Sequence, residues 1–559
     1  MDPILIVGAG PTGLVLAIEL ARRGVPHVLI DQRPKPQLWD RAALIKTRTL
    51  EILAALGLSS EFLARGTAIR GVDLYSPGSR RASFRFQVLD TPFPLMLGLS
   101  EGVTEEILTG ELERLGGGVK RGVEFVDLAA DDRAIRVRIR ENGVERIMEP
   151  SWLVGADGLH SKVRDAVGIE FPGHDYDRQW GVADLRFAHW PHEADLAAVM
   201  FDPLLIPVPI GGNVWRAYFR ADPAVSAHQI HIARCLDKLA PGATVASSDE
   251  PQLFHTHSRI ATRFRSGRVL LAGDAAHACS PIEGHGMNGG IQDAFNLGWK
   301  LALVATGKAP DALLDSYDVE RRAIAKIVCA SGDDAEANAA QGDPAAIDAA
   351  ATGLATAEGQ YKAAFGESEL GLGYDASPIL GSIGPEPLSQ SMTPIGYRLG
   401  DAGPLTGPGD AIRLHELIAH TAHTLFVTIG EGDGAKSDEV VKMARHVADR
   451  FSPHVKAFVV TRNANASGSH EDFIVDATGT AHSRLGGNAP SLCLIRPDGH
   501  LGLRLMPPSL PAVEAYFARI LVRGRRLPPT LAAGPAREAA GRGRSKPRSR
   551  PFRRSDGKA

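Results

Sequence analysis

The N-terminal thirty residues constrain the fold more than any other part of the chain. Residues 4–33 read ILIVGAGPTGLVLAIELARRGVPHVLIDQR. An apolar run of strand type leads into the spacing G-x-G-x-x-G, then into helical apolar spacing, and a second apolar run ends in Asp31. This order is that of a dinucleotide-binding βαβ unit, so the sequence predicts a Rossmann-like α/β fold with a bound dinucleotide.

The glycines of this unit have separate tasks. Gly8 permits the tight turn, Gly10 lets backbone approach a pyrophosphate, and Gly13 lets helix and strand pack closely. The helix start offers free N–H groups to phosphates, and Asp31 is expected to accept hydrogen bonds from a ribose. The unit alone does not separate FAD from NAD(P). The cofactor-binding residues predicted here are Gly8, Gly10, Pro11, Thr12, Gly13, Asp31 and Gln32.

Composition excludes several classes of protein. The chain has 559 residues and 44% hydrophobic content, enough for three or so globular domains of roughly 100–200 residues. Its four cysteines are widely separated, which argues against a disulfide scaffold and a zinc site and predicts a reducing cytoplasm. No run of about 18 apolar residues is present, so no membrane span is expected.

Charge is concentrated at the C-terminus. Residues 523–559 hold 12 Lys+Arg and 2 Asp+Glu, a net +10, so the remainder of a chain of net charge −3 carries 50 − 63 = −13. This tail is rich in Arg, Gly, Pro and Ser and is predicted to be a disordered, solvated extension. Neither nucleic acid nor a membrane is an expected partner.

A second glycine-rich stretch, GDAAHACSPIEGHGMNGGIQD, covers residues 273–293. Its acids and histidines suggest a metal cluster, whereas its glycines suggest backbone close to a cofactor. The metal hypothesis fails because no third nitrogen or sulfur ligand has sensible spacing. An apolar strand runs into Gly273-Asp274, and helical spacing begins near Met287. We therefore predict cofactor contact and no metal.

Three further segments settle the cofactor. Residues 41–53 read RAALIKTRTLEIL, residues 154–164 read VGADGLHSKVR, and residues 268–277 read RVLLAGDAAH. In this order they resemble the flavoprotein aromatic hydroxylases, single-component FAD monooxygenases typified by p-hydroxybenzoate hydroxylase and phenol hydroxylase. The resemblance covers roughly residues 3–330 and implies FAD and NAD(P)H as cofactors.

The resemblance also implies roles for individual residues. Arg41 lies near the FAD pyrophosphate, the Asp157-Gly158 pair handles FAD and NAD(P)H, and Asp274 accepts from a ribityl hydroxyl. The glycines at the start of the later helix face the isoalloxazine edge, where the helix dipole stabilises negative charge. The other residues implied at the cofactor are Glu101, Arg164, Gly273, Pro281, Gly284, Gly286, Met287 and Asn288.

The chain departs from the family pattern at three positions. Glu283 replaces a glycine and His285 a glutamine in the family's P-x-G-G-Q-G-M-N, and Glu101 stands where relatives usually have Gln. These changes either alter the flavin potential or active-site protonation, or are neutral.

The domain organisation is predicted from composition and pattern. Short apolar runs broken by Pro and Gly predict a β-rich insert. The resemblance implies that this sheet roofs the flavin and forms the substrate pocket, where Trp215, Tyr218 and Met200 either face substrate or belong to the core. The C-terminal α/β unit resembles a thioredoxin-like fold with a cis-proline at Pro490, and dimerisation or structural support is its expected role. The predicted parts are an FAD domain (1–172 and 255–370), a substrate domain (173–254), a linker (371–394), a thioredoxin-like domain (395–522) and the basic tail (523–559).

The predicted function follows from the resemblance. NAD(P)H reduces FAD, O₂ reacts at C4a, and the resulting hydroperoxyflavin hydroxylates a phenol or other aromatic substrate in a pocket that excludes water. The predicted catalytic residues are His285, Pro281 and Tyr218, and the candidate bases are His285, Tyr218 and His257. A Baeyer–Villiger or epoxidising variant and a non-oxygenating flavin reductase remain alternatives. A small aromatic molecule and O₂ are the expected partners, and a homodimer is the expected assembly.

Overall fold

The computed structural model describes most of the chain. The described residues are 2–36, 42–76, 79–130, 134–201, 204–221, 228–341, 344–384, 391–407, 411–429, 434–463, 472–487 and 489–522. Arg41 and the predicted basic tail therefore lie outside the described residues. Up to Val522 the chain forms one compact unit.

A six-stranded sheet, the nucleotide sheet, carries the N-terminal motif. Its four central strands are almost continuously apolar and buried on both faces, as expected for parallel strands. The first helix, Pro11–Ala21, connects the strands Ile4–Val7 and His27–Asp31, as the sequence predicts. The strand order is Arg265–Ser266, Val269–Leu271, Trp152–Gly155, Ile4–Val7, His27–Asp31 and Val119–Arg121.

An eight-stranded sheet, the roof sheet, contains the predicted β-rich insert but is larger than it. Strand Leu196–Met200 of the insert pairs in parallel with Gly71–Ser76 from the N-terminal part. Local sequence pattern indicates a strand but not its partner, so this pairing was missed. The strand order is Thr244–Ser248, Trp180–His189, Val214–Arg220, Leu205–Gly211, Leu196–Met200, Gly71–Ser76 and Ser79–Arg85, with Gln252–Phe254 on Trp180–His189.

A second eight-stranded sheet, the C-terminal sheet, holds the last part of the chain. Strand Gly381–Ile383, from the segment predicted as a linker, pairs in parallel with Leu501–Leu505. The predicted hairpin turns at Gly499, which has a positive φ of 80°. The strand order is Gly381–Ile383, Leu501–Leu505, Ser491–Ile495, His423–Thr428, Val455–Thr461, Phe473–Val475, Leu405–Thr406 and Ala411–Ile412.

The prediction of a cis-proline at Pro490 is wrong. Among the described residues, the cis peptide bonds precede Pro404, Pro453 and Pro507. The bond before Pro490 is trans even though the hairpin that follows it is formed as predicted. The prediction rested on fold resemblance alone, and the residues around Pro490 carried no independent signal for the cis isomer.

Smaller sheets and helices complete the architecture. Three three-stranded sheets are formed by Leu44–Ile45, Met96–Gly98 and Thr67–Ile69; by Val144–Met148, Ile135–Glu141 and Val123–Ala130; and by Gly173–Asp175, His257–Ile260 and His277–Ala278. The other α-helices are Thr47–Ala55, Ser59–Arg65, Glu101–Arg114, Lys162–Ala166, His228–Leu239, Gly286–Ala305, Asp315–Gln341, Pro344–Leu354, Ala357–Glu367, Leu414–Leu417, Gly434–Arg450, Thr480–Leu485 and Leu510–Ile520. Short 3₁₀ turns lie at Phe86–Val88, Gly273–Ala275, Pro281–Glu283 and Asp311–Leu314.

The helix Gly286–Ala305, here called the central helix, joins the cores of the molecule. Its residues Ile291 and Leu297 pack into the core of the nucleotide sheet, whereas Trp299 packs into the core of the C-terminal sheet. The central helix is therefore buried along most of its length. No helix in the described ranges is long and apolar enough to cross a membrane.

Candidate active site

One cavity of about 630 Å³ lies between the nucleotide sheet, the start of the central helix and the roof sheet. It brings together segments that the sequence keeps more than 250 residues apart, from Gly8 to Met287. The predicted cofactor residues that line it are Gly8, Gly10, Pro11, Thr12, Asp31, Gln32, Glu101, Asp157, Gly158, Asp274, Pro281, Gly284, Gly286 and Met287. Gly13, Arg164, Gly273, Asn288 and His285 are described but stand behind this wall.

The glycines of the first motif differ in the space around them. A Cβ on Gly8 would lie 2.2 Å from the carbonyl oxygen of Ala156, and one on Gly13 would lie 1.9 Å from the carbonyl oxygen of Gly8. These two glycines therefore permit strand–turn–helix packing. A Cβ on Gly10 would meet only Glu105 Oε1, at 3.9 Å, so open space for a ligand lies beside Gly10.

Asp31 supports the glycine turn as well as lining the cavity. Its carboxylate accepts hydrogen bonds from the backbone N–H groups of Ala9 (2.9 Å) and Arg33 (2.8 Å). Burial opposes its charge, but these bonds and the Arg33 guanidinium hold the pKa of Asp31 below its usual value. The acid is thus ionised and fixed at the strand end.

A second acid at this end of the cavity was missed by the sequence analysis. Glu105 follows Glu101 by one turn of the helix Glu101–Arg114, and both line the cavity. Burial, then the charge of Glu101, raise the pKa of Glu105 to about 7, against the opposing effect of Arg33. Its Oε2 is buried without a hydrogen-bond partner. The i, i+4 spacing of the two acids was the available signal.

Hydrogen bonds from the residues that follow hold the Asp157-Gly158 segment in place. Asp157 accepts hydrogen bonds from Ser161 Oγ (2.5 Å) and the backbone N–H of Val163 (3.1 Å). Arg164 does not reach the cavity; it donates to the carbonyl oxygens of Leu159 and Ala275 and stacks on a phenylalanine. Arg164 therefore ties this segment to the Gly273-Asp274 turn.

Asp293, which the sequence analysis did not single out, holds the Gly273-Asp274 turn in place. Its Oδ2 accepts from the backbone N–H of Gly273 (2.9 Å) and pairs with His277 Nε2 (2.7 Å). Its Oδ1 accepts from Arg321 Nε at 2.6 Å. Burial opposes the charge, but His277 and Arg321 lower the pKa of Asp293 to about 2. Asp274 itself is exposed to the cavity.

Hydrogen bonds of Asn288 connect the start of the central helix to the strand Leu44–Ile45 and to Lys46, which follows it. Asn288 donates to the carbonyl oxygens of Leu44 and Gly284, both at 2.8 Å, and accepts from the backbone N–H of Lys46 at 2.9 Å. Asn288 is thus a support behind the wall. Gly286 has nothing within 4 Å of the position of a Cβ and lines the cavity. Open space therefore adjoins the positive end of the helix.

His285 is buried next to two carboxylates. Its Nδ1 is 2.6 Å from Glu369 Oε1, and its Nε2 is 3.3 Å from Glu283 Oε2. Burial and Lys46 disfavour its charge, but the carboxylates of Glu283 and Glu369 raise the pKa of His285 above its usual value. Of these residues Glu283 lines the cavity and His285 does not. Glu369 is 84 positions away in sequence, and no local pattern points to it.

The roof sheet closes the cavity with an apolar face. Val72, Val199, Ile206, Val208 and Tyr218 line it from one side of the sheet. Strand alternation places Met200 and Trp215 on the other side, where they pack with the helix His228–Leu239. Of the three residues considered for substrate contact, only Tyr218 faces the cavity. His257 also lines it and pairs with Asp175 at 2.7 Å.

The residues present fit FAD. Open space lies beside Gly10 and Gly286, the first turn of the first helix has no side-chain cap, and Asp274 projects into the same cavity. An elongated cofactor with a diphosphate matches this run of backbone donors and a polyol acceptor. No group of three or more potential metal ligands was found among the described residues.

Comparisons with known proteins also point to FAD. A family described as "FAD binding domain" matches residues 1–331. Pentachlorophenol 4-monooxygenase of Sphingobium chlorophenolicum is 30% identical over 517 residues, covering 90% of this chain and 93% of that protein. 6-Methylpretetramide 4-monooxygenase of Streptomyces rimosus is 38% identical over 338 residues, covering 57% of this chain and 58% of that protein.

A solved structure extends the likeness to nearly the whole fold. The anhydrotetracycline hydroxylase OxyS of Streptomyces rimosus aligns with a TM-score of 0.70 at 28% identity. The alignment covers 93% of this chain and 99% of that one. The likeness therefore includes the C-terminal sheet as well as the cavity.

Proposed function

Because the chain belongs to the family of FAD-dependent aromatic monooxygenases, we propose that it hydroxylates an uncharged phenol or polycyclic phenolic compound. The protein is an FAD-dependent, NAD(P)H-consuming monooxygenase that acts on a phenolic or other aromatic substrate. What we propose beyond this is that the substrate carries no charge.

The observation that carries the proposal is the composition of the roof. The roof-sheet residues that line the cavity include valines, an isoleucine, Trp180, Tyr218 and Phe254. No lysine or arginine lies among the roof-sheet residues that the structure describes at this wall. A substrate carboxylate would lose its hydration there without gaining a cationic partner, which is costly. A ring without a carboxylate pays no such penalty.

The chain's own residues would hold the cofactor in the following way. The first helix receives the pyrophosphate, Asp31 the ribose, and Asp274 the ribityl chain. The glycines at the start of the central helix leave room for the ring system, and Pro281 borders the same space. When bound and reduced by NAD(P)H, FAD supplies the activation of O₂.

Residues of the roof would bind and orient the substrate. The apolar wall excludes water from the reacting ring. We assign Tyr218 to a hydrogen bond with the phenolic oxygen, since its side chain lines this wall, and His257 to the rim. His285 is set behind Glu283 and is assigned an indirect role.

Three measurements test the proposal. The purified protein should be yellow, and NAD(P)H oxidation should be stimulated by phenols with mass gain of one oxygen in the product. A phenol and its matched carboxylated analogue, such as a cresol and the corresponding hydroxybenzoate, should differ at least tenfold in kcat/KM in favour of the uncharged ring. Preference for the carboxylate would overturn the substrate class. Ester products would indicate Baeyer–Villiger chemistry, and H₂O₂ alone a flavin reductase.

Other predictions from the sequence remain proposals. The order of four strands in the C-terminal sheet supports a thioredoxin-like fold. Across the sheet they lie in the order Leu501–Leu505, Ser491–Ile495, His423–Thr428 and Val455–Thr461, so that the fourth and third strands in sequence are followed by the first and second. The proposed domains are those given from the sequence, with the roof extended by residues 71–85. Cytoplasmic location and a homodimer stay predictions.

A further inference from the structure

Five ionisable side chains form a cluster beneath the start of the central helix. They are Lys46, Glu283, His285, Glu367 and Glu369. Lys46 Nζ donates to Glu367 Oε2 at 2.9 Å, and His285 lies between the carboxylates of Glu283 and Glu369. Glu283 and Glu367 line the cavity, while Lys46, His285 and Glu369 are buried behind them. The cluster therefore connects buried charge to the cofactor space.

The two carboxylates at His285 are not equivalent. Glu369 is 3% exposed and hydrogen-bonded to His285 Nδ1 and to Gln292. Glu283 receives a hydrogen bond from Ser331 on Oε1 at 3.0 Å, but its Oε2 is buried and lacks a hydrogen bond despite lying 3.3 Å from His285 Nε2. Glu369 therefore holds His285 through a hydrogen bond, whereas Glu283, in the cavity wall, lies within ion-pair distance of His285 but makes no hydrogen bond to it.

The charge state of the cluster follows from these contacts. Burial opposes the charge on Lys46 and on His285, but the surrounding carboxylates raise both pKa values. Burial likewise opposes ionisation of Glu283 and Glu369, but His285 and Lys46 lower their pKa values. The cluster thus combines two basic side chains with three carboxyl groups. His285 is the group in it that titrates nearest to neutral pH.

We propose that the Glu283–His285 pair sets the reduction potential of the bound FAD and makes it depend on the protonation of His285. Reduction adds electrons to the cofactor, so a cation near the cavity favours the reduced form and an anion disfavours it. His285 and Glu283 then act in opposite directions on the same equilibrium. Glu369 is a positioning residue that keeps the imidazolium in place.

The test measures the two-electron midpoint potential of the purified holoenzyme, with no substrate present. We expect His285→Gln to lower the potential and Glu283→Gln to raise it. Each change should alter the ratio of affinities for oxidised and reduced FAD about tenfold, since a unit charge acting over about 10 Å inside a protein is worth roughly that factor. A tenfold ratio corresponds to about 30 mV for a two-electron couple. The double variant should return close to the parent.

The pH dependence supplies a second measurement. The potential of the parent should fall more steeply with rising pH over the range in which His285 titrates, because reduction of the cofactor is there coupled to proton uptake by His285, and His285→Gln should lack that additional slope. The matched controls are His189→Gln and Glu358→Gln, which alter exposed side chains outside this cluster. Thermal unfolding of each variant verifies that it is folded.

Three results would overturn the proposal. They are shifts of the same sign in both single variants, shifts no larger than those of the controls, or an unchanged pH slope in His285→Gln. If His285→Gln does not fold, Glu283→Gln and the pH titration of the parent still decide the question. A structural role alone would weaken FAD retention in both variants without opposite shifts in potential. The test does not depend on hydroxylation or on the substrate.

Discussion

The two ends of the central helix use buried charge in different ways. At its start, Glu283 leaves one oxygen without a hydrogen bond and faces a cavity. At its far end, Lys300 and Glu320 are fully buried, and Arg496 of the C-terminal sheet donates to both oxygens of Glu320, at 2.7 and 2.9 Å. Asp498 pairs with the same arginine and accepts from Trp299.

This difference separates a tunable site from a structural one. In the cluster at the far end, every carboxylate oxygen of Glu320 and Asp498 has a donor, and no member lines the cavity. Fully satisfied polar networks fix one arrangement. The start of the helix keeps an incompletely partnered acid beside the cofactor space, where a change in charge reaches a ligand. The C-terminal sheet is therefore locked to the cofactor domain through this network.

The largest expected effect is on the structural end. Glu320→Gln should lower the free energy of unfolding by about 3–5 kcal/mol, because it leaves Lys300 and Arg496 buried with only Asp498 as a counter-charge. Burial already lowers the pKa of Lys300 to about 8, so loss of its proton would moderate the cost. Chemical denaturation followed by fluorescence measures the change, while the FAD potential should stay near that of the parent.

The same variant has a defined pH signature. Burial opposes ionisation of Glu320, but Arg496 and Lys300 lower its pKa to about 2. A lowered folded-state pKa contributes stability above the usual value near 4.5 that is lost as pH falls towards 2. The free energy of unfolding of Glu320→Gln should therefore fall less steeply than that of the parent as the pH is lowered. The control Glu358→Gln removes an exposed pair with Lys362 and should leave the free energy of unfolding nearly unchanged, because solvent screens such a pair. Equal losses would contradict the comparison.

Asp293, in the middle of the central helix, allows a test of whether a buried ion pair also supports FAD binding. Asp293→Asn keeps the shape of the side chain but removes the charge that pairs with His277 and Arg321 and holds the N–H of Gly273. We expect FAD to bind about tenfold more weakly, since a charge-assisted hydrogen bond is worth about 1.5–3 kcal/mol. Equilibrium dialysis of FAD measures this, with Asp375→Asn as the exposed control. Unchanged retention would show that Asp274 is positioned without Asp293.

The sequence predicts local backbone structure better than the ion pairs at either end of the central helix. Local patterns identify the strand Ile4–Val7, the glycine turn, the first helix and the Gly273-Asp274 turn, because backbone geometry there demands particular residues at fixed spacing. They do not reveal that Glu369 reaches His285 or that Arg496 reaches Glu320, since partners 84 and 176 residues apart are brought together only by tertiary packing.

The roof illustrates the same limit. Alternating apolar residues predict its strands, yet the face on which Tyr218 and Trp215 lie depends on register within the sheet. That register places Tyr218 opposite Ile206 and Val182, and Trp215 opposite Pro209 and Leu185. Only the assembled sheet shows which of the two aromatic side chains lines the cavity.

A smaller effect is expected at the other acid of the cofactor cleft. Burial and Glu101 raise the pKa of Glu105 to about 7, so its proton is lost as pH rises through neutrality. Stability associated with the protonated form is then lost, and the new negative charge opposes a pyrophosphate. FAD should dissociate severalfold more readily at pH 8 than at pH 6.

A matched pair of variants isolates this effect. Glu105→Gln should flatten the dependence of FAD retention between pH 6 and 8, because glutamine does not ionise. Glu106→Gln, the adjacent exposed residue paired with Arg65, should leave the slope unchanged. If FAD retention still depends steeply on pH in Glu105→Gln, another group is titrating, and Glu105 does not tune the binding of FAD.

The smallest effect is expected at the roof, where substrate binding rests on apolar contact more than on any single polar group. Tyr218→Phe retains the ring, which packs against the hydrophobic cluster that contains Ile206, and removes one hydroxyl. Loss of one hydrogen bond to a neutral partner is worth about 0.5–1.5 kcal/mol, so KM for a phenol should rise between about twofold and tenfold. The FAD potential should not move, because no charge changes. A rise confined to KM would separate substrate binding at the roof from the charge effects at the helix start, whereas a loss of kcat without change in KM would make Tyr218 part of the proton chemistry.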